Sequence, residues 1–225
     1  MINPKKQKKE KTELKTVKPQ KTKRALSFNE IKTFKPHLLP FTGKWLESIG
    51  QPELTGAWLI WGNTGSGKTR FSWQLVKYLT QFGKVLYNSM EEGLTGTMQR
   101  AIFDVGMADV ATKWQLLNRE PINELKERLR KRRSADIVFI DSVQYTGMNK
   151  KQYFDLVNEF RNKLFIFLSH ADGVHPRGAL AETIYYDSNV HIRVEGFKGI
   201  ITKSRYGGGD DYIIWDKGYR DYWNV

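Results

Sequence analysis

The 225-residue sequence contains no cysteine. Disulfide bonds and cysteine-ligated zinc or iron–sulfur centres are therefore excluded. Long hydrophobic runs are also missing: no apolar stretch approaches the roughly 18 residues that span a bilayer, and the basic N terminus is not followed by a hydrophobic segment of the signal-peptide kind. From these absences we predict a cytoplasmic protein without a membrane partner.

Acidic residues are too few to balance the basic ones. The sequence has 24 Asp and Glu against 37 Lys and Arg, a net charge of +13, and residues 1–24 alone hold +8 of it. We predict that residues 1–27 form a disordered basic tail, because their Lys, Thr and Pro side chains offer almost nothing apolar to bury. Such a tail either only favours solubility or acts as a nucleic-acid-binding arm with salt-dependent affinity.

The rest of the chain divides into a lead-in segment, residues 28–56, and a domain, residues 57–225. Pro36 and Pro40 interrupt the lead-in, and one short helix is expected over 42–49. In the domain, short apolar runs alternate with amphipathic helical stretches. The runs that predict strands are 57–61, 85–89, 137–140, 164–168 and 190–194, followed without a helix by 200–203 and 212–215. This order is typical of an α/β fold with a mostly parallel sheet and an antiparallel C-terminal extension.

The first predicted strand runs directly into a glycine-rich segment that matches the pattern G-x-x-x-x-G-K-[ST]. The segment is Gly62, Asn63, Thr64, Gly65, Ser66, Gly67, Lys68 and Thr69. Backbone N–H groups of such a loop surround a phosphate, and the following helix points its positive end at the same anion. We expect Lys68 to reach the β- and γ-phosphates and the Thr69 hydroxyl to bind Mg²⁺. The segment therefore predicts a site for ATP and Mg²⁺.

Asp141 ends the apolar run 137–140, so its carboxylate is expected at the carboxyl end of a buried strand, where ligands bind in open α/β sheets. It is a candidate Mg²⁺ ligand of the Walker B type, although an Asp in this position also commonly caps a helix. The next residue is Ser142, where many ATPases have Glu. A catalytic base therefore has to come from another part of the chain.

Two other strand ends carry ionisable side chains. Glu91 and Glu92 follow the second strand, and either one can orient an attacking water; the alternative is that both merely begin a helix. His170 follows the run 164–168 and could sense a γ-phosphate, or could simply be a hydrogen-bonded residue. The sequence alone leaves these alternatives open.

The order of these motifs resembles that of RecA-like ATPases. Residues 85–92, 136–144, Ser169-His170 and 203–207 follow the Walker A loop in the order seen in that group. The pattern is most similar to the core of the RadA/Sms branch, with DnaB-type helicases and KaiC further away. The resemblance covers about residues 57–215. It implies a RecA core of five strands, ATP hydrolysis with Glu91 as the leading base, and assembly of identical subunits into a ring or filament.

The zinc-binding and protease-like modules of RadA and the N-terminal helical domain of DnaB have no counterpart in this sequence. We therefore expect the single-domain type that resembles RecA cores of phages and mobile elements. Lys203 and Arg205 alternate with neighbours along a strand and so are expected to project from one face. The resemblance implies that this pair reaches the nucleotide of a neighbouring subunit; otherwise it protects an exposed edge strand against aggregation.

In RecA-like proteins, loops after the third and fourth strands contact DNA, which here implies residues 144–151 and 171–181. These loops carry few cations, among them Lys150, Lys151 and Arg177. A denser basic run precedes the strand 137–140 and consists of Lys126, Arg128, Arg130, Lys131, Arg132 and Arg133. That run either contacts DNA or is only a solvated helix face. His170 and His175 do not make a convincing metal pair, because no third ligand accompanies them.

We therefore predict a RecA-like ATPase that binds single-stranded DNA as a homo-oligomer, with DNA-stimulated activity in recombination or single-strand annealing. One alternative is a helicase-like or helicase-loader ATPase. Another is a nucleotide-switched regulatory protein without DNA binding. A viral genome-packaging ATPase is a weaker alternative, because Ser142 stands where that group has Glu.

Overall fold

The computed structural model describes residues 24–225, so the predicted tail lies outside the described part up to residue 23. Residues before Pro36 and those from Pro36 onward form two separate units. The first contains helix α1, Phe28–Thr33. Ser27 caps this helix through a reciprocal pair of bonds with Glu30, in which each side chain accepts from the other's backbone N–H.

The second unit is built around one twisted sheet. Its strands are β1 Gly56–Gly62, β2 Val85–Ser89, β3 Trp114–Asn118, β4 Ile137–Asp141, β5 Leu164–Asp172, β6 His175–Pro176, β7 Val190–Glu195, β8 Lys198–Ser204 and β9 Tyr212–Ile213. Their order is β3-β2-β4-β5-β1-β7-β8-β9, with β6 paired to β5 as a short hairpin. Strands β3 to β7 in this order are parallel, and β8 and β9 are antiparallel. The predicted fold class is confirmed.

Helices cover both faces of the sheet. They are α2 Gly43–Ile49, α3 Lys68–Leu79, α4 Gly96–Asp104, α5 Ile122–Arg130, α6 Lys150–Glu159, α7 Ala179–Asp187 and α8 Asp216–Trp223. Because side chains alternate along a strand, β1 sends Trp58 and Ile60 into the core under α2, α3 and α4, and sends Leu59 and Trp61 into the core under α5, α6 and α7. Burial on both faces explains why the central strands are continuous apolar runs.

The structure departs from the sequence-based expectation in three places. Residues 114–118 form strand β3, so the parallel part of the described sheet has six strands, and the expected number of five was wrong. Strand β9 ends at Ile213, two residues earlier than expected, and is followed by helix α8, which the sequence analysis did not predict.

Residues 24–225 contain no helix long and apolar enough to cross a membrane.

Parallel register brings the polar strand ends together. Gly62 pairs with His170 across β1 and β5, and Ser89 pairs with Asp141 across β2 and β4. All four residues therefore lie at the carboxyl edge of the sheet. The phosphate-loop pattern and the acidic residues, which are separated by up to about 80 positions in the sequence, meet at this edge.

The lead-in residues from Pro36 onward take part in the core. Leu39, Phe41, Trp45 and Ile49 are buried against residues of α3 and the sheet. Phe41 packs against Tyr78 and Phe82 with ring centroids 5.0 and 5.4 Å apart. The domain boundary at residue 57 stays a prediction, but this packing indicates that the segment 36–56 is needed for stability.

Two adjacent leucines provide a matched test of this packing. Leu39 is 1% exposed and Leu38 is 43% exposed. We expect Leu39→Ala to lower the free energy of unfolding by about 2–5 kcal/mol, because it leaves a cavity in the core. Leu38→Ala should cost under about 1 kcal/mol. Urea denaturation of the two variants measures both values, and equal costs would contradict a structural role for the lead-in.

Candidate active site

The phosphate-binding loop is shaped for an anion. It leaves β1 at Gly62 and enters α3 at Lys68, with Gly65 and Gly67 at φ of 77° and 102°, conformations that favour glycine. Within residues 24–225, no oxygen accepts a hydrogen bond from the backbone N–H groups of Gly65, Gly67, Lys68 or Thr69. Four free donors at a helix N terminus form the kind of concave site that holds a phosphate.

Lys68 folds over this loop. Its Nζ donates to the carbonyl oxygens of Gly62, at 2.7 Å, and Asn63, at 2.9 Å. Burial lowers the pKa of Lys68, while the carboxylates of Asp141 and Glu91 oppose that shift. The ammonium group is thus held beside the loop, and two carboxylates lie near it. In this position it can bind the oxygens of a phosphate.

Asp141 lies half-buried at the end of β4 and accepts a hydrogen bond from the Tyr87 hydroxyl at 2.5 Å. Ser72 Oγ lies 3.1 Å from the same hydroxyl. Burial raises the pKa of Asp141 to about 6, although the bond from Tyr87 acts in the opposite direction. Sequence reasoning missed Tyr87, which looks like one more apolar residue in the run of β2.

A cavity of about 510 Å³ joins these groups. It is lined by loop residues from Thr64 to Arg70 together with Glu91, Glu92, Asp141, His170 and Phe197. Thr69 and Asp141 therefore face one space, and their hydroxyl and carboxylate oxygens are ligands that Mg²⁺ accepts. Residues 24–225 contain no group of three His, Asp or Glu side chains that could hold a metal ion alone. Mg²⁺ characteristically uses one or two protein oxygens plus phosphate oxygens of a substrate, so the residues present fit this cation.

The two adjacent glutamates differ in their partners. Glu91 Oε2 accepts from Ser142 Oγ at 3.0 Å and lies 3.0 Å from His170 Nε2. Glu92 also lines the cavity, but its Oε1 accepts from the hydroxyl groups of Thr95 and Thr97. Only Glu91 is thus tied to the strand ends that carry Asp141 and His170, so the geometry favours Glu91 over Glu92 as the residue that contacts a water.

Residues at the end of strand β3 hydrogen bond to the turn that carries Glu91 and Glu92. The Asn118 side chain accepts from the backbone N–H of Leu94 at 3.0 Å. The Arg119 guanidinium donates to the carbonyl oxygens of Glu91, at 3.1 Å, and Glu92, at 3.0 Å. The sequence analysis missed these residues together with β3. A polar pair after a short apolar run, Leu116-Leu117, was the available signal.

His170 begins a hydrogen-bond network that leaves the cavity. Its backbone N–H donates to Gln144 Oε1 at 3.3 Å, and Gln144 Nε2 donates to Ser169 Oγ at 2.8 Å and to the carbonyl oxygen of Arg177 at 2.7 Å. Trp61 Nε1 donates to the carbonyl oxygen of Val174 at 3.0 Å. The segments 144–151 and 171–181, which the resemblance implies as DNA loops, are therefore hydrogen bonded to the edge of the sheet that carries the cavity.

Lys203 and Arg205 lie away from this cavity. Val190 pairs with Ser204 while Glu195 pairs with Lys198, so the pair sits at the opposite end of the sheet from Gly62. Val194 is the partner of Gly62; Arg205 is level with Asn189, five residues before it, and Lys203 with His191, three residues before it. The separations along the strand are therefore roughly 16 and 10 Å. Lys203 Nζ donates to the carbonyl oxygen of Ser188 at 2.7 Å, and the Arg205 side chain is exposed. Within one chain these two cations do not join the site.

The tip of the β7–β8 hairpin touches the phosphate loop. The Phe197 backbone N–H donates to the carbonyl oxygen of Ser66 at 3.0 Å, and the Phe197 ring packs edge-on against Trp215, with centroids 5.0 Å apart. The Arg70 guanidinium lies over the Trp215 ring at 5.9 Å, and Arg70 Nε is buried without a hydrogen-bond partner in the described residues. These side chains border the phosphate loop, and the sequence analysis assigned none of them.

No protein-family model and no curated protein sequence matches this chain. Solved structures do match it, among them a KaiC-like protein, PH0186, from the hyperthermophilic archaeon Pyrococcus horikoshii OT3. That similarity has a TM-score of 0.56 at 18% sequence identity and covers 75% of this chain and 89% of the other. At this identity the likeness concerns the fold alone. The expected branch, RadA/Sms of the phage type, stays a prediction, and the chain has the α/β fold of RecA-like and KaiC-like P-loop proteins.

Proposed function

We propose that this protein binds ATP with Mg²⁺ and hydrolyses it. The observation that carries the proposal is the position of the Glu91 carboxylate. It is held by Ser142 and His170 in the same cavity as Lys68, Thr69 and Asp141. A phosphate loop alone supports binding, whereas a fixed carboxylate facing that loop supports the activation of water.

Each part of the site has a role in this proposal. The loop 62–69 holds the phosphates through its free N–H groups, and Lys68 adds positive charge. Thr69 and Asp141 hold Mg²⁺, which neutralises charge on the phosphate oxygens when bound. Glu91 orients the water and accepts its proton, while His170 fixes the carboxylate and senses the occupied site.

We further propose that the protein acts on single-stranded DNA as an oligomer, in recombination or strand annealing. The bonds from Gln144 to Ser169 and Arg177 support this part, because they join the edge at the catalytic cavity to the loops 144–151 and 171–181. A helicase-like or helicase-loader ATPase uses the same parts. A second candidate is a nucleotide-switched regulatory ATPase without DNA binding, which would use the same catalytic cavity.

The two adjacent glutamates provide a matched test of the catalytic assignment. Glu91→Gln should keep ATP binding and slow hydrolysis by about 10²- to 10⁴-fold, because the amide cannot accept a proton from water. Glu92→Gln should retain most of the activity, since its carboxylate is engaged by Thr95 and Thr97. Turnover assays with and without oligothymidylate, together with nucleotide-binding titrations, measure these effects.

The reverse order of effects would assign the base to Glu92 instead. Failure of the wild-type protein to hydrolyse ATP would contradict the ATPase proposal. A wild-type rate that single-stranded DNA leaves unchanged would contradict the DNA-stimulated function and favour the regulatory alternative.

Asp141 provides a test with a stability readout. Its folded-state pKa, about 6, lies above the ordinary value of 3.8 for an aspartate, so ionisation at neutral pH destabilises the nucleotide-free fold. Asp141→Asn removes that charge and should raise the melting temperature at pH above about 6. The gain should shrink as pH falls and vanish below the unfolded-state pKa, where the carboxyl is protonated in both states. Hydrolysis should be lost at every pH.

Thermal unfolding of nucleotide-free protein across this pH range measures the Asp141→Asn effect. Asp210→Asn serves as the control, because the Asp210 side chain is exposed. A melting temperature that Asp141→Asn lowers at neutral pH would contradict a buried, unfavourable charge at this position.

The position of Arg205 leads to a test of assembly. Because this side chain lies at the opposite end of its own sheet from the phosphate loop, we propose that it completes the site of a neighbouring copy. Arg205→Ala should then bind ATP yet hydrolyse it about 10³- to 10⁵-fold more slowly. Mixing it with Glu91→Gln should restore part of the activity, because a mixed interface joins an intact Glu91 to an intact Arg205.

Turnover of each variant alone and of the mixture measures this effect, with co-assembly established by light scattering. Arg161→Ala is the control, as an exposed arginine on another part of the surface. Full activity of Arg205→Ala alone, or no recovery in co-assembled mixtures, would show that Arg205 does not act across an interface.

A further inference from the structure

The basic run 126–133 divides into two parts in the structure. On helix α5, Lys126 and Arg130 bind Glu159 at 2.8 and 2.6 Å, and Arg128 binds Glu120 at 2.6 Å. Arg130 also pairs with Glu127. The helical part of the run is therefore neutralised by carboxylates of the same chain and has little positive charge left for a partner.

The second part of the run remains unpaired. Lys131, Arg132 and Arg133 follow the helix, are exposed, and have no carboxylate partner within residues 24–225. Arg133 lines a cavity of about 380 Å³ together with Lys84 and Lys113, which come from two other segments and are likewise exposed and without an ion pair. Arg128, which is paired with Glu120, also lines the cavity, and Lys131 and Arg132 directly precede Arg133 in the sequence. We call this cavity the distal basic pocket.

The remaining lining suits an anion as well. Thr112, Gln115 and Ser134 add hydroxyl and amide groups. Two nearby acidic groups are already engaged: Glu120 accepts two bonds from Arg128, and Asp136 accepts from the backbone N–H of Lys84 at 3.0 Å. A third, Glu124, is exposed and lies near Arg128. Three unpaired cations from three separate segments, Lys84, Lys113 and Arg133, thus line one cavity.

The distal basic pocket is separate from the nucleotide site. It lies where β2, β3 and β4 begin, whereas Gly62, Glu91 and Asp141 lie where the parallel strands end. The strands β2 and β3 are five residues long, so the two ends are roughly 16 Å apart. The pocket therefore cannot serve the phosphates of the nucleotide held by the same chain.

We propose that the distal basic pocket binds the phosphodiester backbone of a single-stranded nucleic acid. Three unpaired cations that line one cavity from separate segments match successive phosphates better than one free phosphate ion. Trp114, half-buried in the lining, adds an aromatic surface beside the cations, a combination typical of single-strand binding. The choice of nucleic acid as the anion rests on the proposed function, while the pocket itself does not.

The test compares two triple variants of the full chain that lose the same charge. Lys84→Gln, Lys113→Gln and Arg133→Gln remove the three unpaired cations that line the pocket. Lys44→Gln, Arg161→Gln and Lys217→Gln remove three exposed cations elsewhere. Binding of a fluorescent oligothymidylate, measured by anisotropy over a range of salt concentrations, gives both the affinity and its salt dependence.

We expect the pocket variant to bind at least about ten-fold more weakly at low salt. The slope of log affinity against log salt concentration should also fall by about 2 units, since each single-strand phosphate contact contributes about 0.7. The control variant should stay close to wild type. ATP hydrolysis without nucleic acid should be the same in all three proteins, because none of these residues touches the nucleotide cavity.

Equal affinity of the two triple variants for oligothymidylate would overturn the pocket proposal. A double variant, Lys150→Gln and Lys151→Gln, removes cations from the first predicted DNA loop. If it weakens binding while the pocket variant does not, the proposal of DNA binding stands and the pocket proposal fails. If wild-type protein hydrolyses ATP but binds no oligothymidylate, both the pocket and the DNA part of the proposed function fail. Displacement of oligothymidylate by equimolar inorganic phosphate would also overturn the proposal, because it would show a site for a single phosphate ion.

Discussion

Parallel pairing of β2, β4, β5 and β1 is the constraint on which the rest of the structure depends. A parallel sheet places every strand's carboxyl end at one edge, and both faces must be covered for such a sheet to be stable. The covering helices make the four strands continuous apolar runs that end abruptly in polar residues. The site is therefore a consequence of where the apolar runs stop, at Gly62, Ser89, Asp141 and Ser169.

The same arrangement concentrates negative charge at the edge. Glu91 and Asp141 both lie near Lys68, and burial raises the pKa of Asp141 while it lowers that of Lys68. Side chains from neighbouring elements offset part of this cost, among them Tyr87 on Asp141 and Ser142 on Glu91. The nucleotide-free edge is thus preorganised for a divalent cation and phosphates at some expense of stability, as is common where charged groups must be held ready.

Sequence reasoning succeeds where a residue's role follows from local pattern. Continuous apolar runs identified the strands that carry the site, and the glycine pattern identified the phosphate loop. Strand β3 was missed because it lies at the sheet edge and only Leu117 in it is buried. Tyr87 was missed because nothing in a run of apolar residues indicates that one hydroxyl meets Asp141. The partners of the basic run were equally hidden, since Glu159 reaches it from another helix.

The β7–β8 hairpin has a structural consequence. Its tip is bonded to Ser66 through Phe197, and its strands stay paired from Glu195 and Lys198 to Val190 and Ser204. The far end of the hairpin carries Arg205, whose backbone N–H donates to Asn189 at 3.1 Å. The pairing has one register shift, between His191 and Ile192, and otherwise runs the length of the hairpin. The phosphate loop and the corner that displays Arg205 are thus joined by one pair of hydrogen-bonded strands.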